Sequence, residues 1–151
     1  MKGTRMSRPV SHVLLVAFGC ALQGCASIGG RESHIDANVP ARAEFDRFLR
    51  RDLEAYFAAT TAQPIAALDY QLLRDGPTQS GLAYPKYYVW VVVQIKGDKG
   101  QEGAVRLQAM DRERFEGTHF LSRDEISSNP SGFRSVFPEP VCVRIEEVLR
   151  Q

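Results

Sequence analysis

Long apolar runs, paired cysteines and catalytic signatures are all scarce in this chain of 151 residues. A membrane-crossing helix needs about 20 consecutive apolar residues. The apolar stretch over residues 10–22 is shorter and is broken by Ser11, His12 and Gly19. The chain has three histidines, His12, His34 and His119, and its carboxylates are scattered. This gives no metal-ligand spacing, so no metal and no cofactor is implied. Missing too are His-Glu-x-x-His, a Cys-x-x-Cys pair, Gly-x-Ser-x-Gly, a phosphate-cradling glycine loop and an EF-hand loop. Their absence removes the usual zinc-protease, hydrolase, nucleotide and calcium readings. The sequence therefore points away from an enzyme.

What is present begins at the N-terminus. Lys2, Arg5 and Arg8 form a basic head without acidic neighbours, followed by the short apolar run and then small residues. Basic head, short apolar middle and small-residue exit describe a secretory signal peptide. The run ends in Leu22-Gln23-Gly24-Cys25. This stretch resembles the lipobox of bacterial lipoproteins, with leucine three before the cysteine, a small residue directly before it, and Gln23 where a small or β-branched residue is commoner. The resemblance covers about a sixth of the chain. It implies cleavage between Gly24 and Cys25, diacylglycerol on the Cys25 sulfur and, usually, acylation of the freed amine. The residues alone also admit an ordinary cysteine after a cleaved signal, an uncleaved anchor, or modification of Cys20 after Phe18-Gly19. Two or three acyl chains anchor stably where one does not. Ala26 follows the cysteine instead of aspartate, so the family's sorting habit implies the outer membrane, with the body facing the periplasm.

Removing residues 1–24 on this reading discards three of the 19 basic residues and none of the 18 acidic ones, leaving a net charge of −2. A mildly acidic, mixed chain lacks the basic stripe that nucleic acid requires, so no nucleic-acid partner is expected. Cys142 would remain as the lone unmodified thiol, which excludes an internal disulfide; flanked by Val141 and Val143, it reads as a small buried core residue. Residues 25–39 have no periodicity and read as a flexible tether with a typical reach of roughly 20 Å. Residues 40–151 then form a single domain.

That domain reads as α+β. A long N-terminal helix is expected over residues 40–60, capped by Asn38, with Phe45, Phe48, Leu49, Leu53, Tyr56 and Phe57 forming one apolar stripe. Four strands follow, over residues 65–74, 87–96, 102–110 and 115–121, joined by turns into an antiparallel meander packed on the helix. Ser122-Arg123-Asp124-Glu125 has capping-box spacing and opens the first of two short C-terminal helices, the second starting at Pro140. The element order is weakly similar to the cystatin-like and nuclear-transport-factor-like α+β rolls, a likeness that carries no residues across.

The strand at 87–96 is apolar on both faces. Tyr87, Val89, Val91, Val93 and Ile95 suffice to pack the helix, while Tyr88, Trp90 and Val92 point the other way, joined by Phe120. Either the C-terminal helix covers this second face, or Tyr88, Trp90 and Phe120 form an interaction surface for an envelope protein partner or polymer. Asp69, Tyr70, Tyr87 and His119 are the candidates for a pocket between helix and sheet, with Asp69 and His119 as a possible acid/base pair. Two functions follow: a non-enzymatic, lipid-anchored accessory or protein-interaction module, or a small-ligand-binding or isomerase-like roll.

Overall fold

The computed structural model describes residues 37–151; the expected leader 1–24, Cys25 and the expected tether up to residue 36 lie outside the described residues. The described chain is α+β. In order it forms α1 (Arg42–Thr61), β1 (Ile65–Leu72), β2 (Lys86–Ile95), β3 (Gln101–Asp111), β4 (Arg114–Ser122), α2 (Arg123–Ser128), a 3-10 turn (Phe133–Ser135) and α3 (Glu139–Leu149). The four strands are antiparallel and lie in the sheet in chain order.

Apolar residues spaced by three and four give α1 one sticky face, and Phe48, Leu49, Leu53 and Phe57 are buried on it. Asn38 does not cap this helix. The N-cap is Ala41, without a side-chain bond, and Glu44 N donates to Ala41 O at 2.9 Å. The entry is held by packing instead: Val39 lies against the helix-side core and Pro40 is buried. The folded body therefore begins before the expected tether boundary. At its far end α1 stops at Ala62, in the left-handed region at φ 54°, and Pro64 cannot continue a helical ladder.

Side chains of α1 reach both outer strands. On β1, Arg50 donates to Leu68 O and the Tyr70 hydroxyl donates to Asp46. On the β4 side, Phe115 N donates to Asp52 Oδ2 at 2.7 Å, and Arg51 donates to Glu113 O at 2.5 Å. Between these ties the helix stripe meets alternate residues of β2 and β3: Val89, Val91, Val93, Val105 and Leu107. Edge-to-face contacts among Phe45, Tyr87 and Phe115, with centroids 5.0 to 5.6 Å apart, fill the space near the start of the helix.

The opposite face of the sheet carries a second core. Tyr88, Trp90 and Ala104 pack against Ile126, Phe133, Phe137, Val141 and Ile145 from the C-terminal segment. The predicted capping box is present: Ser122 N donates to Glu125 Oε2 at 2.8 Å, and Glu125 N donates to Ser122 Oγ at 3.3 Å. The Ser122 N–H, together with the Ser122 hydroxyl that donates to the same Oε2 at 2.7 Å, lowers the Glu125 carboxyl pKa. The segment at Val141-Cys142-Val143 is helical, within α3, so its apolar residues cross the sheet as a stripe.

One irregularity changes side-chain direction. Arg106 pairs with His119 but Leu107 pairs with Gly117, so Thr118 is an extra residue in β4. A bulge of this kind reverses the inside/outside alternation beyond it. Phe115 and Phe120 consequently both pack on the α1 side, while His119 and Leu121 belong to the other face. The expectation that Phe120 shares a face with Trp90 is thereby corrected.

Gly117 sits against α1: a Cβ there would lie 2.5 Å from Tyr56 Cδ2. Gly117→Ala should cost about 1–3 kcal/mol by overpacking. In urea titrations the double variant Gly117→Ala/Tyr56→Ala should lose clearly less than the sum of the two single variants. Strict additivity would contradict this packing.

Candidate functional site

The aromatic pair singled out by its residue types is covered. Tyr88 and Trp90 are each 3% exposed. Tyr88 lies edge-on to Phe137, and its hydroxyl is 2.7 Å from Thr78 Oγ1. Trp90 Nε1 donates to Glu102 Oε1 at 3.0 Å, and Arg123 donates to the same oxygen at 2.7 Å. Arg123 also donates to Leu149 O at 3.2 Å, so one guanidinium ties the sheet to the end of α3. Both ring tips have partners and both ring bodies are dry. Tyr88, Trp90 and Phe120 form no common exposed surface, because C-terminal elements cover the first two and the bulge turns the third away.

The second group is dispersed. Asp69 lies on β1 and His119 on β4, the two edges of the sheet. Three strand spacings alone separate them by at least about 14 Å, and the register offsets them further along the strands, so they form no acid/base pair. Tyr70 and Tyr87 face α1. Burial and its bond to Asp46, in that order, push the Tyr70 phenol above the tyrosine range. Tyr87 is buried among Phe45 and Phe115. Asp69 and Tyr70 line one shallow cleft beside Trp90, and Tyr70 and Tyr87 share the α1 face, but no single face or cavity holds all four.

His119 has a different partner. The Arg106 guanidinium donates to Thr118 Oγ1 at 3.0 Å and to Val136 O at 3.1 Å, and lies 2.6 Å from His119 Nδ1. Guanidinium has no acceptor, so Nδ1 accepts and the imidazole is neutral. Burial, then the Arg106 charge, lowers the His119 pKa. Sequence reasoning missed this cluster because it follows from the β4 bulge, which presents Thr118 and His119 together opposite Arg106. Gly117 was the available signal, since glycine inside a strand often marks a bulge.

Cys142 is buried in the second core, with Sγ 3.2 Å from Phe137 O. Burial raises its thiol pKa, which disfavours the thiolate a nucleophile needs. Among the described residues no group of three or more His, Cys, Asp or Glu could hold a metal ion, and no helix is long and apolar enough to cross a membrane. An open groove of about 600 Å³ lies where α1 begins, lined by Val39, Phe45, Leu72 and Tyr87 together with Arg42, Asp46 and Asp75. Asp46 already accepts the Tyr70 hydroxyl. The groove offers apolar contact more than reactive groups.

No known protein family, no curated protein and no solved structure matches this chain.

The protein has one tryptophan, so its fluorescence reports the covered face directly. Acrylamide should quench native Trp90 several-fold less than the urea-unfolded chain, and Ile145→Asp, which breaks the cover, should remove that protection. Native quenching as fast as in the unfolded chain would place Trp90 at the surface. His119 supplies a pH test. Its folded pKa lies below the unfolded value of about 6.5, so its contribution is complete above that pH and is lost as pH falls through the lower folded value. The urea midpoint should therefore drop on acidification from pH 7 to 5. His119→Gln, which keeps an acceptor without a titration, should flatten that part of the profile. An unchanged profile in the variant would show that His119 is not responsible.

Proposed function

We propose that this chain is a bacterial envelope lipoprotein: a signal peptide over residues 1–24, Cys25 as the lipid-bearing mature N-terminus, a tether, and a non-enzymatic α+β body held at the outer membrane on the periplasmic side. The observation that carries the reading is Leu22-Gln23-Gly24-Cys25 at the end of a basic-headed apolar run. The acyl chains supply membrane affinity, since each buried CH₂ contributes about 0.8 kcal/mol, and the body serves as an accessory or interaction module of the envelope.

The folded part supports a module of this kind through its packing. A long helix set on a meander and closed by short helices makes an α+β roll whose two cores are filled by large apolar side chains. The alternative, a ligand-binding or isomerase-like roll, needs a cavity between helix and sheet with polar groups converging on it. Phe45, Tyr87 and Phe115 occupy part of that space with their rings, and the polar candidates are spread over both faces. A partner docked on Trp90 is not part of this proposal, because the C-terminal segment already occupies that face.

Labelled palmitate fed to cells expressing the full chain tests the anchor. The wild-type product should take up label and sediment with membranes, and Cys25→Ser should lose both properties. A wild-type protein that is unlabelled and remains in the supernatant would refute the assignment, as would a Cys25→Ser product still cut at the same place and still sedimenting.

A further inference from the structure

We propose that the tip of the β1–β2 loop, residues 80–84, is a membrane-contact element that seats Leu82 and Tyr84 in the bilayer interface and orients the body on its tether. This rests on the anchor at Cys25 and adds to it a defined membrane-facing end.

Leu82 is 91% exposed, far more than any other large apolar side chain among the described residues, and Tyr84, two residues on, is 42% exposed. The loop that carries them is built. Thr78 and Lys86 exchange two backbone bonds of 2.9 and 2.8 Å across its base. Ala83 N donates to Ser80 O at 3.2 Å, and Gln79 Nε2 donates to Ala83 O at 2.7 Å. Gly81, at φ +58°, takes the left-handed turn that other residues resist. The tip is thus closed by its own hydrogen bonds while its leucine stands in water. Leucine for hydrocarbon, with tyrosine for the headgroup boundary, is a pairing suited to a bilayer surface.

Position supplies the second argument. Ala109 N donates to Pro85 O at 2.8 Å, so the chain leaving the loop runs beside the end of β3. Arg112, in the turn after β3, donates to Ala37 O at 3.3 Å. Loop, β3–β4 turn and the start of the described chain therefore share one end of the domain. Cys25 precedes Ala37 by 12 residues, a span of at most about 40 Å and typically about 20 Å. The end held nearest the lipid is the end that displays Leu82.

Area and charge identify the occupant. One leucine and part of a tyrosine fall far short of the roughly 800 Å² per partner of a stable protein interface. Beside a bilayer, to which the chain is already tied, so small a contact acts at high effective concentration and sets orientation. Arg42, Arg74, Lys86, Arg112 and Arg114 at this end are nearly balanced by Asp46, Asp75, Asp111 and Glu113. Contact with hydrocarbon and headgroup, independent of lipid charge, is what such a surface favours.

The test uses full-length lipidated protein in phosphatidylcholine vesicles, with an environment-sensitive fluorophore on Leu82→Cys and, separately, on Lys99→Cys. Lys99 lies in the turn at the opposite end of β2, about 30 Å away along the strand. Nitroxide-bearing lipids should quench the label at position 82 at least twofold and leave that at position 99 nearly unchanged, alike with and without anionic lipid. Co-flotation with equal quenching at both positions, or with none, overturns the orientation while leaving the anchor intact. Failure to float with vesicles overturns both. A concentration-dependent blue shift at position 82 in the unlipidated Cys25→Ser chain, without lipid, would assign the tip to a second copy and likewise overturn the proposal.

Discussion

The structure depends on β2 being apolar on both faces. A strand with Val89, Val91 and Val93 on one side and Tyr88 and Trp90 on the other cannot sit at the surface of a two-layer fold without cost. Each large aromatic removes 150–250 Å² from water when buried, which at about 25 cal/mol per Å² is several kcal/mol. Set against a total stability of about 5–15 kcal/mol, leaving both rings wet would consume much of the margin. Three layers result: α1, the sheet, and the C-terminal segment. The polar tips are dealt with locally, Trp90 and Arg123 sharing one oxygen of Glu102 and Tyr88 meeting Thr78. The cover over the second face is thus fixed in place as well as apolar.

How far the sequence discloses this depends on how local the determining physics is. The helix stripe, the two faces of β2 and the capping box at Ser122 are legible because each rests on spacing within a few residues. The bulge at Thr118 is not, because it is a matter of register between β3 and β4; one extra residue moves Phe120 to the α1 side and pairs His119 with Arg106. The absent Asn38 cap has a similar origin: Val39 and Pro40 pack onto the core, and tertiary contact replaces local hydrogen bonding at the helix entry. The candidate pocket failed for a topological reason. In an open meander the first and fourth strands are the two edges, so Asp69 and His119 stay apart whatever their chemistry. Leu82 escaped notice because a single leucine between a glycine and an alanine has no periodicity to mark it.

With the α1 face and the Tyr88 and Trp90 part of the second face covered, what remain for contact are a strip at Asp69, Gln71 and Val92, the edges and the ends. The edges are partly closed by α1 itself. Arg50 engages the backbone of β1 at Leu68, and Asp52 takes the backbone N–H of Phe115 on β4. Backbone groups satisfied by charged side chains are poor templates for an added strand, one of the ways sheet edges avoid pairing with other chains. This argues against strand addition at those points and shifts attention to the ends of the strands.

The two ends differ in kind. One carries the polar turn Gly97-Asp98-Lys99-Gly100 and the capped start of α2, both richly hydrogen-bonding and without an exposed large apolar side chain. The other carries the apolar groove at Val39, Phe45 and Leu72, the loop tip with Leu82 and Tyr84, and the entry of the chain at Ala37. Val92 and Val143 are also partly exposed elsewhere on the body, but the most exposed large apolar side chain among the described residues, Leu82, lies at the same end as the groove. A freely diffusing domain gains nothing from that placement and carries the risk of self-association. For a domain fastened as proposed, through residues just before that end, the tether would keep the apolar end beside lipid and present the polar end to the solvent beyond. The asymmetry of the folded body and the chemistry of the N-terminal segment are separate features of the chain, and the proposed membrane at one end would account for both.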